Sequence, residues 1–331
     1  MAIATETFGP GDVAPRQPIT VRNDRRRVDR VFRGVARGTG FATLLILFLI
    51  GLFLLIEGWP ALRTDGWHFF TNSGFQTVTK PYHFGVLASL YGTVVVAVIA
   101  MIVGTPVAIG TALFLTEYAP RGVRSFMIAV VDLAAAIPSV IYGLWAIFEL
   151  QNNVVGVSSW MARHLAWIPI FKVTTPKVNA SLFIAGLVVG IMIVPIVASV
   201  TREIFSLTPP GEKEGALALG ATRAGMIRRV VLPFGRGGMI SAVMLGLGRA
   251  LGETIAVVII LSQSFVISPH ILQSGGSTVA QLIAVNFGTG GPLGTHAALF
   301  AGLILFAFTL VINLVASAIV SRSRSGAGVE L

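Results

Sequence analysis

There is no cysteine among the 331 residues, which excludes disulfides and thiol chemistry. Charge is scarce too. Asp, Glu, Lys and Arg make up 11% of the chain, against about a quarter in soluble domains. None of the four lysines, Lys80, Lys172, Lys177 and Lys213, follows a glycine or precedes a serine or threonine. A P-loop that cradles nucleotide phosphates is therefore missing. His68, His83, His164, His270 and His296 fall at no metal-ligand spacing, and no Gly-x-Ser-x-Gly elbow occurs. No catalytic residue, metal site or cofactor is expected, so the chain is not read as an enzyme.

What is abundant is apolar surface: 54% of residues are hydrophobic and the mean hydropathy is +0.84. Crossing a hydrocarbon core takes ~20 apolar residues as helix. Six stretches meet that length, at about Thr39–Glu57, Leu87–Leu115, Phe126–Leu150, Leu182–Val200, Gly238–Ser262 and Ala297–Val320. Backbone groups in lipid must pair within their own segment, so the expected fold is all-α and membrane-integral. Pro106, Pro138 and Pro195 interrupt three of these spans, as hinges or as packing kinks.

The net charge of +10 lies mostly outside the spans. Eighteen of the 24 Lys and Arg fall in the N-terminal stretch, two alternate loops and the C-terminal tail. Only Arg63, Lys80, Arg163, Lys172 and Lys177 lie on the other side. This bias places both termini in the cytoplasm and marks membrane topology, not a nucleic-acid surface. Residues 1–37, with eight arginines, form a polar basic tail near membrane lipid, with no cleavable leader expected. The outer loop 58–84 holds Trp59, Trp67, Phe69, Phe70 and Tyr82, and the outer loop 151–180 holds Trp160 and Trp167. Such aromatics suit an interfacial belt or a docking face. In the last outer loop, Gly275-Gly276-Ser277-Thr278 caps a short helix expected along the outer rim.

The loop between the fourth and fifth stretches is the most informative. Pro209-Pro210-Gly211 ends the preceding helix. A short helix follows over Glu212–Leu219, and Gly220 supplies the left-handed residue that closes it. Thr222 caps a second short helix reaching Leu232, and Pro233 is expected to stop it. The small residues Gly215, Ala216, Ala218 and Ala221 allow close approach, and Arg223, Arg228 and Arg229 can orient a partner.

The run Glu214-Gly215-Ala216-x-x-Leu219-Gly220-Ala221, followed by Leu232-Pro233, resembles the EAA loop of ABC-importer permeases. Gly215 departs from the Ala usual there, at up to ~1 kcal/mol of helix propensity. The resemblance implies that this loop fits a cleft in a separate ATPase subunit. Three further runs look like phosphate permeases: Ala135–Gly143, Thr116–Pro120 and Leu247–Thr254. The last is closer to the PstC type than to its PstA-type sister, because Ile255-Ala256 follow the Glu-Thr pair. The implied assembly pairs the chain with a PstA-type permease and two copies of a PstB-type ATPase. A PstS-type external binding protein would deliver inorganic phosphate. The implied layout is a first helix and outer loop over 38–85, a permease domain over 86–321 with a five-helix importer core, and a short tail over 322–331.

Arg249 lies midway along the fifth stretch. An intramembrane charge costs about 2.5–3.5 kcal/mol on insertion scales and usually marks a pathway. Glu253 follows four residues on, expected one helical turn away on the same face. The two either neutralise each other or serve substrate. In the second reading Arg249 offers its planar fork to phosphate oxygens, and Glu253 accepts from the protonated oxygen and limits how tightly the anion is held. Asp132 is a further intramembrane acid, expected to pair with Arg249 or with the sister subunit. Sulfate and molybdate remain alternative substrates. An ion-coupled carrier would need an inverted repeat with broken helices, which the sequence does not display.

Overall fold

The computed structural model describes residues 24–76, 82–174 and 178–324. Lys80, Lys177 and the tail before Asp24 lie outside them, as do the residues after Arg324. The chain order is α1 (Asp24–Asp65), α2 (His68–Thr71), the hairpin β1 (Phe75–Gln76) and β2 (His83–Phe84), then α3 (Leu87–Leu113). Next come α4 (Arg121–Ala135), α5 (Ser139–Trp145), α6 (Gln151–His164) and α7 (Leu182–Ser206). The chain then runs through α8 (Pro210–Ala218), α9 (Arg223–Met226), α10 (Leu232–Leu251), α11 (Ile255–Ile260), α12 (Val279–Asn286) and α13 (Gly291–Arg324). Single π turns at Phe114–Tyr118, Ala146–Leu150 and Ile227–Val231 extend α3, join α5 to α6 and join α9 to α10.

Two compact units result, residues 1–50 and residues 51–331. Within the first, helix begins at Asp24, so the last residues of the basic stretch, 24–37, are helical; its start lies outside the described residues. Within the second, the centre is the α3–α7 pair. The two helices run in the same direction at very close range. A Cβ on Gly104 would lie 2.6 Å from the Gly190 carbonyl oxygen, and one on Gly186 would lie 2.6 Å from Ile99. Lipid tails are as apolar as leucine, so membrane helices gain by packing backbone against backbone, and small residues make that approach. The core spreads from this seam through Ala97, Ala100, Val188, Val189, Met192 and Ile193 to Ala242 of α10 and Ala256 of α11.

Among the described residues, five helical runs are long and apolar enough to cross a membrane: Asp29–Asp65, Leu87–Tyr118, Leu182–Ser206, Arg223–Leu251 and Gly291–Ala318. The third expected span, Phe126–Leu150, is bent by 90° between α4 and the α5–α6 run. Pro138 causes the break. It has no N–H to donate, and it forces the residue before it out of helical geometry. Pro106 and Pro195, by contrast, sit inside unbroken helices.

The aromatic outer loop folds inward. Phe69 and Phe84 are fully buried with Phe75, Val86 and Phe300, and the Phe69 and Phe300 rings meet edge-on with centroids 4.8 Å apart. Trp59, Trp67, Trp160 and Trp167 point outward. Thr278 does cap α12, its hydroxyl accepting from Gln281 N. The first half of α12 is enclosed, Val279, Ala280, Gln281 and Leu282 all being buried, while Ala284 and Val285 of its second half are exposed. Polar side chains make this tolerable. Thr93 Oγ1 accepts from Val279 N at 3.0 Å, and Gln281 Nε2 donates to the Leu261 carbonyl at 3.0 Å. Irregular backbone at depth survives only where protein groups satisfy it.

Gly104→Val should drive a side chain into the α7 backbone and destabilise the fold by about 1–3 kcal/mol. Gly110→Ala, where a Cβ meets nothing within 4 Å, should be neutral or mildly stabilising. Thermal unfolding of both variants in detergent checks the contrast.

Candidate functional site

Two regions carry chemistry. The first is the α7–α10 loop. Pro209 and Pro210 start α8, because proline suits a first helical turn whose N–H groups have no partner anyway. At its end Gly220 N donates to Leu217 O and Ala221 N to Ala216 O, with Gly220 at φ +85°. That pair of bonds is a Schellman closure. Thr222 caps α9, accepting from Gly225 N at 3.1 Å. The expected helix–glycine–helix is therefore present.

Pro233 does not stop the second helix. Arg223–Leu251 is one continuous run, with Pro233 in the first turn of α10 behind the π turn. A π turn shifts the hydrogen-bond register, so the missing proline donor falls where the ladder is already interrupted.

Glu214, Gly215 and Gly220 are exposed, and Ala216, Ala221 and Leu232 are half-buried. Leu219 is 91% exposed, although it lies beside the apolar cluster of Phe205, Met226, Ile227 and Val231 that Ala216 packs against. Ala216, Leu219, Gly220, Ala221, Thr222, Gly225 and Arg229 line a depression of ≈ 450 Å³. A second, of ≈ 590 Å³, is lined by Ala224, Gly225, Arg228 and Arg229. Small residues, one bare leucine and paired arginines line this surface.

The loop is also tied to the membrane helices. Lys213 Nζ donates to Glu117 Oε1 at 2.6 Å, with side chains 21% and 8% exposed. Glu117 belongs to the π turn that ends α3. Composition singled out neither residue as a pair, because 96 positions separate them.

The second region lies around Arg249. It occupies the last turn of α10, and the expected fifth span is broken just after it: α10 ends at Leu251 and α11 starts at Ile255. Glu253 sits in the break, not one turn along the same helix. Its Oε1 accepts from Ala256 N at 3.2 Å, so it caps α11. The reason is local: Gly248 and Gly252 weaken the helix, and Glu253 and Thr254 offer the freed N–H and C=O groups side-chain partners. Gly246 is a packing residue, its Cβ position 2.6 Å from Val197, whereas Gly248 faces open space.

Asp132 does not meet Arg249. α4 lies against α7, and Asp132 pairs with Arg202, Oδ2 to Nη2 at 3.6 Å, while accepting from Ser199 Oγ at 3.0 Å. Among the described residues Arg249 makes no ion pair, and its side chain is exposed on this chain. Its electrostatic neighbour is Tyr142 of α5. The Tyr142 hydroxyl donates to Ala134 O at 3.1 Å and so spans the Pro138 elbow. Gly143 packs α5 onto Ala256 of α11. Two interrupted helices thus converge at one unneutralised guanidinium, whose fork of donors suits an oxyanion. Tyr142 and Arg202 were missed from sequence; the run Ala135–Gly143 was the only signal for the first.

Residues 104–325 match the family described as "Binding-protein-dependent transport system inner membrane component". The chain belongs to this permease family. The phosphate transport system permease protein PstC 2 of Mycobacterium tuberculosis is 40% identical to it over 305 residues, covering 91% of this chain and 94% of the relative. PstC of Mycobacterium leprae is 41% identical over 298 residues, covering 89% and 93%. In structure, the permease is similar to a chain of a bacterial alginate ABC transporter in complex with an alginate pentasaccharide-bound periplasmic protein. The TM-score is 0.58 at 20% identity, over 89% of this chain and 96% of that one. This likeness carries the fold.

Neutralising one member of the Lys213–Glu117 pair leaves the other's charge poorly solvated. Lys213→Met or Glu117→Gln should each loosen α8 by about 2 kcal/mol. Amide exchange across Pro210–Ala218 should accelerate accordingly, and the double variant should lose less than the two single losses combined.

Proposed function

We propose that the permease translocates inorganic phosphate across the cell membrane by alternating access, as one subunit of an ATP-driven importer. The observation that carries this reading is Arg249, an intramembrane guanidinium with no carboxylate partner among the described residues, in a chain whose relatives bear the name of phosphate permeases. In this reading Arg249 receives two phosphate oxygens when the gate admits them. Glu253, held at the start of α11 by Ala256 N, lies four residues on and accepts from the protonated oxygen of hydrogen phosphate. Repulsion between Glu253 and the remaining charge keeps the anion from being held too tightly to leave. Asp132 and Arg202 form a second charged station on the pathway, between α4 and α7.

The remaining parts follow from the loop. Glu214, Gly215, Ala216, Gly220, Ala221, Leu232 and Pro233 form the coupling element that docks into an ATPase subunit. ATP hydrolysis belongs to that partner, a PstB-type protein in two copies. A PstA-type permease completes the pathway opposite Arg249, and a PstS-type binding protein delivers phosphate to the outer face. Both termini lie in the cytoplasm, in keeping with the Lys and Arg bias of the loops. ATP-driven closure of the partners draws α8 and α9 inward. The Lys213–Glu117 tie carries that displacement to the end of α3, and the interrupted helices around Arg249 rearrange.

Co-purified subunits in vesicles should take up phosphate only with ATP inside the coupled system. Arg249→Gln, assembled normally, should abolish uptake, and Arg249→Lys should recover little because an ammonium cannot bind two oxygens side by side. Normal flux through Arg249→Gln overturns the assignment. Competition by sulfate or molybdate equal to that by phosphate would move the substrate to another oxyanion.

A further inference from the structure

α1 is 42 residues long, while a bilayer core takes ~20 residues of helix. Its apolar run begins only at Phe41, with Thr43 its sole polar residue before Glu57, so the first turns extend beyond the hydrocarbon. Between residues 25 and 37 the chain carries Arg25, Arg26, Arg27, Arg30, Arg33 and Arg37 against a single acid, Asp29. From Arg30 onward, helical register sorts the arginines from the large apolar residues. Arg30, Arg33 and Arg37 fall within a sector of about 60°, and Val31, Phe32 and Val35 fall within about 100° on the opposite side. All six are exposed, Phe32 to 75%. Gly38 and Gly40 separate this segment from the apolar run, and a Cβ on either would meet nothing within 4 Å. No close contact within this chain requires glycine there, and glycines at a helix joint lower the cost of a bend.

We propose that residues 30–37 form a surface anchor that binds anionic phospholipid headgroups of the bilayer in which the permease sits. The occupant follows from charge and position together. A helix with one basic and one apolar face, continuous with a membrane span, matches an interface that offers phosphate charge above acyl chains. The glycine joint lets the apolar face turn toward the membrane while the arginines reach the phosphates. A soluble acidic partner would satisfy the arginines and leave Phe32, Val31 and Val35 in water. This anchor is independent of which anion the permease carries.

The absence of native cysteine makes the test direct. A nitroxide is placed on Val31→Cys, and separately on Phe32→Cys, of the full-length chain in its assembled complex. Quenching by a lipid-soluble and by a water-soluble relaxer is compared in nanodiscs with and without anionic lipid. With anionic lipid the label should lose access to the water-soluble relaxer. High salt should restore that access, as should the triple change Arg30→Gln, Arg33→Gln, Arg37→Gln. The salt series needs no arginine replacement, so it decides the matter even where the triple variant fails to insert. Equal accessibility in both lipid compositions overturns the proposal. So does burial of the label that depends on the other subunits and not on lipid charge.

Discussion

The close approach of α3 and α7 is the constraint on which residues 51–331 depend. Their backbones meet where Gly104 faces Gly190 and Gly186 faces Ile99. In lipid there is little hydrophobic drive between helices, so contact area and dispersion must hold them. Every other element of the core is placed by this pair. α10 returns along α7 with Gly246 against Val197, and α12 is received by Ser89 and Thr93 of α3. A single methyl group at the seam would push apart helices that carry groups of both candidate regions.

On that rigid pair the protein suspends interrupted elements. The Pro138 elbow, the break after Leu251 and the buried start of α12 all leave backbone groups without helical partners. Each is closed by a named side chain: Tyr142 on Ala134 O, Glu253 on Ala256 N, Thr93 on Val279 N and Gln281 on Leu261 O. Such closures can be exchanged at small cost, whereas a continuous helix cannot be opened without losing several bonds together. Two of these interruptions, the Pro138 elbow and the break after Leu251, lie beside Arg249, where a gate in this reading has to move.

The α7–α10 loop reaches the rest of the molecule by two routes of different character. One is apolar, through Ala216, Met226, Ile227 and Val231 against Phe205. The other is ionic, from Lys213 to Glu117 at the end of α3. Apolar packing resists separation but allows small sliding. A short charge-assisted hydrogen bond with little solvent exposure fixes direction. Together they let the loop act on α3 as well as on the helices it joins.

Local chemistry was legible in the sequence. Apolar length marked the spans, Pro209-Pro210, Gly220 and Thr222 marked the loop helices, and Thr278 marked the α12 cap, because each effect acts within a few residues. Arg249 stood out because a charge in an apolar run is costly wherever the run ends up. What the sequence could not decide were outcomes set by partners distant along the chain. Pro138 bends its helix by 90° while Pro106 and Pro195 stay inside theirs, and all three are simply prolines on paper. Asp132 chose Arg202 over Arg249 because α4 lies on α7. Glu253 became the cap of α11 instead of a neighbour on the same helical face, and the start of α12 is enclosed where Thr93 and Gln281 satisfy backbone groups. By itself, the sequence determined which segments are apolar and long enough to cross a bilayer and which residues cap the short helices. Only the tertiary structure decided which polar groups meet, since that depends on helix packing that no local pattern encodes.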